Sequence, residues 1–142
     1  MKFDEIYRLV NEKAELDLNE LLKECNAEIV RDNDMMHGFE ARSMMIDDVF
    51  LIFLKEDMFE VRERYLLLHE LGHYFCGSSE RDADLFACLY LIGNHIWEAC
   101  YFQQFLMCNG ADRHIANKIN DEIYHYKLNV QQQIGWRVME LL

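Results

Sequence analysis

The sequence contains no proline and only six glycines among its 142 residues. Both residue types commonly interrupt regular structure, so their scarcity favours long helices joined by short connections. No apolar run reaches the length that a membrane-spanning helix requires. Acidic residues also interrupt the N-terminal segment MKFDEIYRLV, which is therefore a poor secretion signal. We expect a cytoplasmic protein that does not associate with membranes.

Basic residues are scarce as well, because 14 Lys and Arg stand against 26 Asp and Glu and give a formal net charge of −12. A surface this acidic repels a phosphate backbone, so we expect no direct binding of nucleic acid. The five cysteines include no C-x-x-C pair and are odd in number. This pattern favours reduced thiols in the cytoplasm over a disulfide framework.

The length and the hydrophobic pattern predict one α+β domain over residues 1–142, mostly helical, with a small antiparallel sheet in the N-terminal half. Strands are expected at 27–31 and on both sides of a hairpin turn at Asp47 and Asp48. One helix should start at a capping pair of Asp57 and Glu60 and end at Gly77, and the next should run from a Ser78 or Ser79 cap to Ile92. Further helices are predicted at 3–14, 18–25, 96–108, 111–128 and in a last segment to 142.

The stretch HELGH at residues 69–73 is the most informative motif in the chain. His69 and His73 are four residues apart, so both imidazoles lie on one helix face and can reach one ion. Two histidines on a rigid helix suit Zn²⁺, and Glu70 lies where a general base for a metal-activated water belongs. The alternative, a charged surface stripe, fits poorly because the surrounding segment YLLLHELGHYF is strongly apolar.

Catalytic zinc sites normally have three protein ligands, so a third ligand is expected. Glu80 is the best candidate because it follows the Gly77-Ser78-Ser79 turn, after which the chain reverses. Asp84 lies one turn further along the same helix and is expected to accept the free ring N–H of one histidine. Asp82 is a competing third ligand, although it faces another side of the helix than Glu80 and Asp84.

HELGH followed by ERDADLFACLYLI resembles the ImmA/IrrE family of metallo-endopeptidases, in which an H-E-L-G-H helix precedes an E-x-x-A-[N/D]-x-F-A helix. The resemblance covers residues 1–92 and leaves 93–142 as a C-terminal helical extension. It implies a zincin-like metallopeptidase domain with His69, His73 and Glu80 as zinc ligands and Glu70 as the catalytic residue. The short gap from His73 to Glu80 and the Gly93 in place of the family's usual proline are departures from the family pattern.

The resemblance also implies a substrate, since family members of this size often cleave a helix-turn-helix repressor encoded beside them in phages and mobile elements. We therefore expect a zinc-dependent, site-specific endopeptidase acting on a transcriptional repressor. The exposed edge of the stretch from Gly38 to Ile46 is a candidate for binding substrate as an added strand. The candidate donors to the developing oxyanion are Tyr74, His95, Tyr101, His114, Tyr124 and His125.

Two alternatives stay open at this point. A binding protein without catalytic activity, such as an anti-repressor, would keep the metal for structure and close its fourth position with Cys76 or Asp82. A metal hydrolase acting on something other than protein ranks last, because the sequence has no glycine-rich phosphate loop. A methionine cluster, made of Met35, Met36, Met44 and Met45, is expected to fill a core, with an adaptable binding surface as the alternative.

Overall fold

The computed structural model of the chain describes residues 1–33 and 38–141. Within these ranges the elements are α1 (Phe3–Glu12), α2 (Leu18–Glu24), β1 (Ala27–Arg31), β2 (Ala41–Ile46), β3 (Val49–Leu54), α3 (Glu60–Cys76), α4 (Glu80–Ile92), α5 (Gln103–Cys108) and α6 (Arg113–Leu141), with a short 3-10 helix at Gly93–Trp97. The α+β prediction is confirmed, because the described chain is mostly helical around a three-stranded sheet. None of its helices has the length and apolar character needed to cross a membrane.

The sheet has β3 at its centre, in the order β1-β3-β2. The predicted hairpin is confirmed: β2 and β3 are antiparallel, and Asp47 and Asp48 both adopt positive φ between them. The prediction of an antiparallel sheet is wrong for β1, which pairs with β3 in parallel, so the sheet is mixed. The apolar run VFLIFL takes the central place, with Phe50, Ile52 and Leu54 buried, and β1 occupies the side of β3 that the hairpin leaves free.

Three of the predicted helices differ from the structure. The helix predicted at 96–108 is divided into the 3-10 helix at Gly93–Trp97 and α5 at Gln103–Cys108. Asp57 does not cap α3: it adopts a positive φ in a turn, and α3 starts after Phe59 without a side-chain cap. The predicted break near Leu128 is absent, because α6 continues unbroken from Arg113 to Leu141. With no proline in the chain, a single Gly135 is not enough to end a helix.

The prediction that the methionine cluster fills a core is wrong for the two members that the structure describes. Met44 and Met45 are about half exposed on the edge strand β2 and do not fill the core. Met35 and Met36 lie outside the described residues. The core instead collects around α4, which contacts α1, α3, α5 and α6 and buries Leu85, Phe86 and Leu89.

The backbones of α3 and α4 meet at Gly72. A Cβ at this position would lie 2.8 Å from both the Cα and the carbonyl oxygen of Ala83. Only glycine permits this approach, and the short turn at 77–79 then leads the chain back along α3. Ser79 caps α4 as predicted, since its hydroxyl accepts a hydrogen bond from the N–H of Asp82. The first turn of α4 therefore lies beside the C-terminal half of α3.

Replacing Gly72 with alanine should destabilise the protein by about 1–3 kcal/mol, because the added methyl group forces two packed backbones apart. Gly135→Ala is the matched control, since a Cβ there meets nothing within 4 Å. That control should stabilise the exposed helix by about 0.5–1 kcal/mol. Urea unfolding of both variants measures the two free energies of unfolding. Equal values for the two variants would contradict the close contact between the helices.

Candidate metal centre

The structure brings the three predicted ligands together at one end of the α3–α4 pair. The rings of His69 and His73 lie edge to face with their centroids 4.8 Å apart. The Nε2 atom of His69 is 2.9 Å from Oε2 of Glu80, and Nε2 of His73 is 3.1 Å from Oε1 of the same carboxylate. Glu80 is the first residue of α4, so the tight turn after α3 carries its carboxylate back over both histidines.

The other ring nitrogen of each histidine is held by an acceptor. Nδ1 of His73 lies 2.9 Å from the carbonyl oxygen of Gly77, and Nδ1 of His69 lies 2.8 Å from Oδ1 of Asp84. A carbonyl oxygen only accepts, so Nδ1 of His73 carries the proton and donates it. Asp84 occupies the position expected of it and fixes the same tautomer in His69. In the neutral rings both Nε2 atoms therefore present lone pairs to Glu80.

This arrangement fits a bound cation. Two nitrogen lone pairs and two carboxylate oxygens face one another, which is unfavourable unless a proton or a metal ion lies between them. Burial would lower the pKa of His69, but the hydrogen bond to Asp84 and the charges of Asp84, Glu70 and Glu80 outweigh burial and raise the pKa above its ordinary value. A tetrahedral zinc ion would separate its ligand atoms by about 3.4 Å, and the nitrogen-to-oxygen distances are a few tenths shorter.

Glu70 lies beside this group rather than in it. Its Oε2 atom is 3.9 Å from Nε2 of His69. His69, Glu70 and His73 each have one potential ligand atom, and these three atoms lie within 4.8 Å of one another. The side chain of Glu70 is buried, at 5% exposure. Its Oε1 atom accepts a hydrogen bond of 2.7 Å from the hydroxyl of Ser43 on β2. One oxygen is thus held by the sheet while the other faces the histidines.

Sequence reasoning missed two hydroxyl groups that support these residues. Ser43 joins β2 to Glu70, and the phenol of Tyr65 donates to Oδ1 of Asp84 at 2.8 Å. Tyr65 is 2% exposed. Burial is the largest cause that raises the pKa of its phenol, so the phenol keeps its proton. The position of Tyr65, four residues before His69 on the same helix face, was a signal that could have revealed it. No such signal existed for Ser43, which reaches Glu70 only through the packing of sheet on helix.

Asp82 and Cys76, the two residues suspected as additional ligands, lie away from the two histidines and Glu80. The carboxylate of Asp82 is buried, 2.9 Å from the amino group of Met1 and 2.9 Å from Nη1 of Arg81. Cys76 is half-buried at the end of α3, and burial raises the pKa of its thiol to about 11. Neither residue lines the cleft that contains His69, Glu70 and His73.

Of the six candidate donors to an oxyanion, Tyr74 alone lines this cleft. His95 is exposed and pairs with Glu98 at 2.6 Å, well along the chain from the motif. Tyr101 and Tyr124 line a separate, smaller pocket against α6. The remaining two, His114 and His125, are exposed on α6. Tyr74 is therefore the candidate that the geometry favours.

Comparison of the chain with protein-family models, with curated proteins and with solved structures finds no match. The resemblance to the ImmA/IrrE family therefore stays a prediction from motifs.

If the site holds zinc, the phenol of Tyr65 should strengthen its binding by holding Asp84 against His69. Asp84→Asn should weaken zinc binding by about 10- to 100-fold, and Tyr65→Phe by less, about tenfold at most. Competition with a zinc chelator measures both affinities. Tyr90→Phe is the control, because the Tyr90 hydroxyl donates to the carbonyl of Leu16 instead. If Tyr65→Phe bound zinc as tightly as the Tyr90 variant, the contribution of this hydroxyl would be refuted.

Proposed function

We propose that this chain is a zinc-dependent endopeptidase with a zincin-like site. The observation that carries the proposal is the convergence of two histidine Nε2 atoms and the Glu80 carboxylate, with the Glu70 carboxylate directly beside them. The set of two imidazoles and one carboxylate matches the ligands of catalytic zinc in peptidases. Bound zinc supplies Lewis-acid activation of a water molecule and of the peptide carbonyl.

In this proposal the residues of the chain have separate roles. His69, His73 and Glu80 would hold the ion, and Asp84 and the Gly77 carbonyl keep both imidazoles in the tautomer that exposes Nε2. Glu70 takes a proton at Oε2 from the attacking water and passes it to the leaving nitrogen. The Ser43 hydroxyl orients Glu70 through its other oxygen.

The shape of the site supports a polypeptide as substrate. The ligands line an open cleft of about 900 Å³ whose opposite wall is the edge strand β2. The backbone of an edge strand can pair with an extended peptide, as expected for the segment from Gly38 to Ile46. A repressor as the particular substrate rests on the motif resemblance, and the net charge of −12 suits a basic DNA-binding partner.

The second candidate function, a binding protein with a structural metal, needs a fourth protein ligand to close the site. The two suspected residues do not favour it, because Asp82 is paired with Met1 and Arg81, and Cys76 does not line the cleft. Glu80 is 76% exposed as a side chain, so the ligand group opens toward solvent on that side. A hydrolytic site requires such access for water and substrate.

Metal analysis of four purified proteins tests the proposal. Wild type and Glu70→Gln should each contain about one zinc per chain, and Glu80→Ala should lose most of it. Glu98→Ala is the matched control, since this exposed carboxylate also contacts a histidine but lies outside the cleft. Cleavage of a helix-turn-helix repressor is then followed by gel electrophoresis, and Glu70→Gln should abolish it.

Absence of zinc in wild type, with none taken up on titration, would exclude a zinc peptidase. Full relief of repression by the zinc-loaded Glu70→Gln variant would instead favour the binding protein. Loss of zinc from Glu98→Ala would show that the assay reports general damage.

A further inference from the structure

The cleft beside Glu70 runs along β2 and α3, which lie side by side in the same direction. At one end Glu40, just before β2, accepts a hydrogen bond of 2.9 Å from Nη2 of Arg62, and near the middle Ser43 bonds Glu70. The five residue steps of extended chain from Glu40 to Met45 span about 17 Å. The twelve helical residues that follow Arg62 span about 18 Å. The cleft is therefore as long as about five residues of extended peptide.

The far end of the cleft is apolar. Met45 lies on the same face of β2 as Ser43 and pairs in register with Phe50 of β3. The ring of Phe50 lies 5.2 Å from the ring of Tyr74, which follows His73 on α3. All three side chains line the cleft, and we call them the apolar wall. Phe50 is buried, whereas Met45 is 54% and Tyr74 40% exposed, so the wall offers free apolar surface beside the site.

The near end of the cleft holds one exposed aromatic ring, Phe39, which is 56% exposed and lies under the guanidinium of Arg42 at 4.9 Å. Arg62 is bound there by Glu40, by the carbonyl of Gly110 and, more distantly, by Asp112. The guanidinium is therefore neutralised and fixed between β2 and α6. The apolar wall is thus the exposed apolar surface next to the histidines, since Tyr74 directly follows His73, whereas Phe39 lies at the other end of the cleft.

We propose that the apolar wall selects one bulky apolar side chain, such as leucine, methionine or phenylalanine, of an extended peptide in the cleft. The proposal deepens the proposed endopeptidase function and rests on it for its biological meaning. A peptide segment is the fitting occupant because β2 is an edge strand and the cleft has the length of a short extended segment. Side chains alternate between the two faces of such a segment. If one peptide side chain lies beside Ser43, the side chain two residues further along therefore lies beside Met45.

Two blocked pentapeptides, acetyl-Ala-Ala-Leu-Ala-Ala-amide and the same peptide with asparagine at the centre, test the proposal. Leucine and asparagine are similar in size and uncharged, so the acidic surface does not bias the comparison. The Glu70→Gln variant, labelled with [methyl-¹³C]methionine, is titrated with each peptide with and without zinc. The leucine peptide should bind about tenfold tighter or better, because its side chain leaves water, and it should shift the Met45 methyl signal.

Met45→Glu and Met44→Glu are the matched variants for affinity measured by isothermal titration calorimetry. Both methionines are exposed on β2, but Met44 lies on the face opposite Ser43 and does not line the cleft. Met45→Glu should remove the preference for leucine, and Met44→Glu should keep it. Equal affinities for the two peptides, no binding of either, or a preference that survives Met45→Glu would each overturn the proposal.

A Met45 signal that changes with protein concentration alone would mean that a second copy covers the wall, and this would also overturn the proposal. None of these readouts requires turnover, and the titration without zinc requires no metal. Failure of the zinc analysis and failure of the side-chain preference are therefore distinguishable.

Discussion

The close contact between the backbones of α3 and α4 is the constraint on which the site depends. Gly72 lets Ala83 approach to a distance that no side chain would allow, and three residues then suffice to connect the helices. Helices packed through ordinary side chains lie about 8–10 Å apart. At such a separation the carboxylate of Glu80, fixed at the start of α4, would move away from His69 and His73. The glycine inside HELGH thus determines where Glu80 lies relative to His69 and His73, although it contributes no side chain to this group.

The second constraint comes from the sheet, which supplies a hydrogen-bond donor, Ser43, to the buried carboxylate of Glu70. Three polar residues in the described part of the chain are buried: Glu70, Asp82 and Asn120. Asp82 ties Met1 and Arg81 to α4, and Asn120 accepts the N–H of Phe102, so both join elements of the fold. Glu70 differs because its partner, Ser43, leaves one oxygen directed at the histidines. Of these three buried residues, Glu70 alone lines the cleft.

The parts of the site that the sequence predicts are those set by local geometry. The spacing of His69 and His73 follows from the helical repeat, and the place of Glu80 follows from a cap at Ser79 after a glycine turn. The parts that it does not predict depend on packing between distant segments. The hydroxyl of Ser43 reaches Glu70 across 27 residues of chain. The parallel pairing of β1 reflects competition among strands for the centre of the sheet, which periodicity alone does not reveal.

In the proposed substrate recognition, charge would act on the rate of encounter, and apolar contact would act on which partners are retained. A net charge of −12 produces a long-range field that speeds encounter with a basic partner and weakens as salt screens it. The apolar wall acts only after contact, through surface removed from water, and is far less sensitive to salt. In this proposal, position along a substrate chain comes from the wall, since the field does not distinguish one residue from the next. A protein of this kind would meet many basic partners and retain those with an apolar residue in an accessible extended segment.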